Sequence, residues 1–168
     1  MKRRQPRGKE ETERADRLFH YTVGTRLSDI LCDGEIRPAT AGVPDGERPA
    51  VWLTYFPDWE PTATKAHLIG GVRVPGTRES NAHMGGFLAR IEVDPAGAPV
   101  EWSDFVRLSG IAPKVAAAIV GTAAAQGSCA GDWRMNFDPI RSERWVAIEI
   151  WTGLAWESLP DWRALLGG

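Results

Sequence analysis

Hydrophobic and polar positions change rhythm several times along the chain, and each change predicts an element. Residues 17–22, "RLFHYT", gather β-prone aromatic side chains and predict a strand. A turn follows at Val23 and Gly24. Thr25 then stands as the N-cap of a helix in which Leu27, Ile30 and Leu31 share one face, and Gly34 closes it as the C′ residue. Residues 37–50 are rich in Pro and Gly and read as a loop. Residues 51–54, "VWLT", are short and mostly apolar, the signature of a buried strand. After a turn, residues 62–69 predict a short helix capped by Thr62, and residues 70–86 a loop with a brief strand at 72–74.

The second half is more regular. Residues 87–93 alternate and predict a strand. Residues 103–110 suggest a helical turn. The alanine-rich stretch 112–127, with Pro113 near N1 and Gly127 at its end, predicts a helix. Residues 142–151 predict a strand with Val146, Ile148 and Ile150 on one face and Glu143, Trp145, Ala147 and Glu149 on the other. A short strand from residue 156 and a last helical turn complete the chain. There is no internal repeat. No glycine fingerprint of the dinucleotide-binding or P-loop kind occurs. This order predicts an α+β domain with mixed or antiparallel sheets.

Length and composition narrow the picture. The 168 residues suit one domain, expected over 15–168, behind a charged and mobile tail at 1–14. A net charge of -2 argues against a sequence-blind grip on nucleic acid. Cys32 and Cys129 are far apart and outside metal-ligand spacing, so free thiols in a reducing compartment are expected, although one bridge between them stays open. No apolar run is long enough to span a membrane and the first residues lack a signal peptide's apolar core, so a cytoplasmic location is expected. Eight tryptophans, most of them late in the chain, suggest a core or cleft of large aromatic surfaces.

Three segments could carry chemistry. His20 is either a half-buried histidine at a strand edge or a fixed hydrogen-bonding group at the lip of a cleft, with the hydroxyls of Tyr21 and Thr22 beside it. No second histidine lies at ligand spacing, so no zinc site is expected. Residues 51–66, "VWLTYFPDWEPTATKA", hold Trp52, Tyr55, Phe56 and Trp59, which either pack the core or form a stacking wall for a flat ring, with Thr62 and Thr64 as hydroxyl donors. Glu143 and Glu149 are either solvated or available to stabilise an oxocarbenium-like sugar carbon.

Taken together and in order, these segments resemble the ADP-ribosyltransferase superfamily, in the diphtheria-toxin and poly(ADP-ribose) polymerase branch with its His-Tyr-Glu triad. "FHYTVGTRLSDILCDGEIRPA" follows that family's first motif with His20 on the triad histidine, although Tyr21 stands where glycine is usual. "VWLTYFPDWEPTATKA" follows the second, with Trp52 in place of the tyrosine. "SERWVAIEI" follows the third, with Glu143 on the triad glutamate. The resemblance covers these motifs and not residues 72–138.

What it implies is a pair of small, twisted sheets with NAD, as substrate, in the cleft between them. His20 would bond the adenosine ribose and the backbone at Tyr21 the nicotinamide amide. Thr22 and Thr64 would add hydroxyls. Trp52 and Tyr55 would stack on the nicotinamide ring, and Arg37 or Arg26 would meet the pyrophosphate. Glu143, or else Glu149, would stabilise the oxocarbenium. The activity implied is transfer of ADP-ribose to an acceptor (protein, nucleic acid or small molecule), as in a bacterial toxin or effector with a possible antitoxin partner. The same fold also serves NAD glycohydrolases and RNA 2′-phosphotransferases, and a non-catalytic binding module is the reading from another class.

Overall fold

A computed structural model describes residues 17–64, 67–74 and 76–168. The expected tail at 1–14 lies outside the described residues. The architecture is α+β. Seven strands form one antiparallel sheet in the order β11-β10-β6-β1-β3-β8-β7. They are β1 (Leu18–Val23), β3 (Val51–Thr54), β6 (Leu88–Val93), β7 (Val100–Glu101), β8 (Trp133–Asn136), β10 (Trp145–Trp151) and β11 (Trp156–Ser158). Two small ladders stand apart: β2 (Glu35–Ile36) with β9 (Ile140–Arg141), and β4 (His67–Ile69) with β5 (Val72–Val74). The helices are α1 (Gly24–Asp33), α2 (Arg78–Gly85), α3 (Trp102–Ser109) and α4 (Pro113–Ala125).

β1 lies at the middle of the sheet. Along β6 it pairs over its whole length, from Leu18↔Val93 to Val23↔Leu88. Along β3 it makes one pair, Phe19↔Thr54. The family resemblance implied two small sheets. The strands here are one sheet, but a single residue pair joins its halves, β11-β10-β6-β1 and β3-β8-β7.

Because side chains alternate, the register sorts the faces. Leu18, His20 and Thr22 share a face with Leu53, Ile91 and Ile148; Phe19 and Tyr21 share the other with Thr54, Arg90 and Glu149. The first face carries the larger core, where Leu27 and Leu31 of α1 close over Leu18, Leu53, Ile91 and Ile148. The second face carries the other core, where Phe105 of α3 and Ala116 and Ala123 of α4 cover Trp133 and Met135 of β8.

Several local expectations change. Thr25 does not cap α1, whose N-cap is Val23, without a side-chain bond; Gly34 does end it, in the left-handed region at φ 66, with its N–H on the Ile30 carbonyl. The helix expected at 62–69 is a 3-10 turn, Pro61–Ala63, followed by β4, and its cap is Glu60 rather than Thr62. Proline at the head of that turn and β-branched neighbours leave too little propensity to propagate a helix. Part of the loop expected at 70–86 is α2, started by a reciprocal cap between Thr77 and Ser80. β8, Trp-Arg-Met-Asn, alternates apolar and polar over only four residues, a short signal that the sequence reading did not take up, and it is held by ladders on both sides, to β3 and β7.

The third motif differs most. Residues 142–144 form a 3-10 turn and the strand begins at Trp145. A bulge between Trp145 and Ala147 shifts the register, so Trp145 turns into the core with Ile148 while Val146 is exposed.

Candidate functional site

The structure brings the first two segments together at β1 and β3, while the third, on β10, is separated from β1 by β6. Beyond the Phe19↔Thr54 pair, His20 would face Leu53 and then Tyr21 would face Trp52, and the ladder does not reach them. The Trp52 carbonyl instead meets the imidazole of His20, with Nδ1 3.0 Å from the oxygen. A carbonyl only accepts, so Nδ1 carries the proton, and in a neutral ring Nε2 is then the acceptor. His20 is half-buried and its ring is oriented by the strand that the second motif supplies. Past the Phe19↔Thr54 pair, the His20 side chain therefore links β1 to β3 where the backbone ladder has ended.

The side chain of Tyr21 lies on the other face. Its hydroxyl donates to the Phe56 carbonyl at 2.6 Å, and its ring meets Trp59 edge-on at 5.3 Å and Trp156 at 5.8 Å. Burial pushes its pKa well above the usual phenol range. Thr22 is half-buried on the His20 face. Trp52 is enclosed by rings, with Phe105 4.9 Å away and Trp102 and Trp133 just beyond. Tyr55 packs against the larger core with the Arg134 guanidinium over its ring. Trp52 and Tyr55 thus occupy opposite faces and do not form one wall. The Thr64 hydroxyl accepts from the Trp59 indole at 2.9 Å. Arg37 is exposed and paired with Glu35 and Asp33, and Arg26 is exposed and paired with Asp29.

The carboxylates fall into three environments. Glu143 is exposed on its turn at the Leu18 end of the sheet, beyond the Trp145↔Val93 and Val93↔Leu18 pairs. Two strand spacings alone put it about 10 Å or more from His20. Glu149 is held by both Arg17 and Arg90, and Arg17 also binds Glu92. Burial alone would raise the Glu149 pKa, but the bonds from Arg17 and Arg90 and their charges outweigh it and hold the group below the usual carboxylate range.

Glu60 is the third, and the sequence reading passed over it as part of a turn. It is the one buried acid among the described residues. Its oxygens accept from the hydroxyls of Thr54 (3.1 Å) and Thr62 (2.7 Å) and from the Thr62 N–H (3.3 Å). All three donors are neutral, and Thr54 is the residue at which β3 joins β1. A glutamate between Trp59 and Pro61 gave no periodic signal; only the hydroxyls at 54 and 62 could have marked it.

Among the described residues no group of three or more His, Cys, Asp or Glu is placed to hold a metal ion. No helix among them is long and apolar enough to cross a membrane. Comparison of the chain with protein-family models, with curated proteins and with solved structures finds no match.

Proposed function

We propose that the chain is an NAD-dependent ADP-ribosyltransferase, which breaks the bond between nicotinamide and ribose and passes ADP-ribose to an acceptor. The observation that carries this reading is the interrupted ladder between β1 and β3. A primary carboxamide offers one acceptor and one donor edge, the same pattern that a strand presents. The break beside Tyr21 gives it a place to pair with the backbone, as nicotinamide would. In this reading His20, whose Nδ1 donates to the Trp52 carbonyl, would bond a ribose hydroxyl.

When the C1′–N bond breaks, its electron pair leaves with nicotinamide and positive charge develops on C1′. A carboxylate shielded from water stabilises that charge best. The resemblance gives this role to Glu143. Glu60, buried at the junction of β1 and β3, bonds Thr54 on the face opposite His20, so its glutamine variant serves as the control. The acceptor's nucleophile then takes C1′ and loses its proton.

A second reading, a module that binds without turnover, is favoured by the exposed position of Glu143 and by the engagement of Trp52 in an aromatic cluster. The test is nicotinamide release from labelled NAD in the presence of cell lysate, for wild type, Glu143→Gln, Glu60→Gln and His20→Ala. The transferase predicts release with label moved to a lysate component, and a loss of about 100-fold or more in Glu143→Gln but not in Glu60→Gln. Release without label transfer would mean hydrolysis. Binding of NAD with no release would select the module, and neither binding nor release would end the NAD reading.

A further inference from the structure

We propose that Arg78, Trp151 and Trp156 form a second binding site, for a phosphate group, on the sheet face opposite His20. The inference does not depend on the reaction proposed above. Arg78 opens α2, and its guanidinium lies 3.7 Å over the ring of Trp151. Nη1 donates to Asp58 at 3.2 Å. Nε and Nη2 are closed off from water and have no hydrogen-bond partner among the described residues. These two nitrogens form the edge of the guanidinium that takes an oxyanion through two parallel bonds.

A third donor faces the same deficit nearby. Trp151 and Trp156 pair across β10 and β11, with ring centroids 5.4 Å apart, and the buried Nε1 of Trp156 also has no partner. Five buried side-chain polar atoms among the described residues lack partners, and three of them gather on these two residues, Arg78 and Trp156. Buried donors without acceptors are destabilising, and folded proteins rarely leave several together.

All three groups donate and none accepts. The missing partner therefore presents only acceptors. A carboxylate has two oxygens, enough for the guanidinium edge; a phosphate has oxygens for that edge and for the indole as well. The exposed Asp58 partners only one of the guanidinium nitrogens, and Arg78 keeps 21% of its side chain exposed. The rings of Tyr21 and Trp156, 5.8 Å apart, continue the apolar wall inward. The phosphate can be inorganic or borne on a nucleotide.

The test is titration of the full chain with inorganic phosphate, ADP and acetate, followed by calorimetry and ³¹P NMR. Saturable phosphate or ADP binding, tighter than acetate, is expected. Arg78→Lys keeps the charge but loses the fork, and Trp156→Phe keeps the ring but loses the N–H. Each should weaken binding about tenfold or more, with circular dichroism confirming the fold. ADP binding tighter than phosphate would identify a nucleotide, and equal binding a free phosphate. No saturable binding at millimolar phosphate or ADP, or equal binding by wild type and both variants, would overturn the site. Nicotinamide release is not a readout here, so this proposal and the transferase reading can fail separately.

Discussion

Arg90 is 6% exposed and is held by Glu149 and the Pro57 carbonyl, between the rings of Phe19 and Trp156. Removing one partner of such a pair leaves a buried charge without compensation, which costs about 3–5 kcal/mol. Glu149→Ala should therefore lower the urea midpoint strongly. Asp104→Ala, which breaks an exposed pair with Arg107, should cost about 0.5 kcal/mol or less. Equal effects in the two variants would mean that Arg90 is satisfied without Glu149. The contrast also sets the roles of the acids. Glu149 keeps its charge for the structure, while Glu60 is buried among neutral donors and Glu143 meets water. From the sequence, Glu143 and Glu149 were two carboxylates on one predicted strand face. The bulge at Val146 and the partners on β6 separate them.

Between elements, the closest approach is that of α2 to β1. A Cβ added at Gly85 would lie 2.4 Å from the Val23 Cβ, a branched side chain that cannot swing aside. Gly85→Ala should destabilise by about 1–3 kcal/mol through overpacking. Since α2 carries Arg78, the same change should also disturb phosphate binding. Thermal unfolding checks the first effect, and an unchanged melting temperature would mean that α2 does not pack on β1 as described. α1 was legible in the sequence because its apolar residues repeat at helical spacing and a glycine stops it. α2 was not. It has mostly polar residues, only Asn81 and Gly85 of it are buried, and its start depends on a reciprocal Thr77–Ser80 cap that lacks the usual acidic partner.

For the molecule as a whole, Glu149 links stability to pH. Its folded pKa lies below the value near 4.3 of a free glutamate. The stabilisation is therefore present above that value and is lost as pH falls through the lower, folded pKa. Urea midpoints measured from neutral to acid pH should fall in that window, and Glu149→Gln should flatten the fall; an unchanged profile in the variant would place the acid sensitivity elsewhere. The sequence by itself determined the α+β class, strands β1, β3, β6 and β10 within a residue or three, and helices α1 and α4. Each of these rests on a local signal: alternation, helical spacing, or a proline or glycine at an end. Only the tertiary structure decided that β8 completes the sheet, that one residue pair bridges its halves, and that Trp52 and Tyr55 face opposite ways. It alone brought Glu60 to the β1–β3 junction and left Arg78 without acceptors. Those features come from pairing and burial between segments far apart in the chain, which no window of sequence contains.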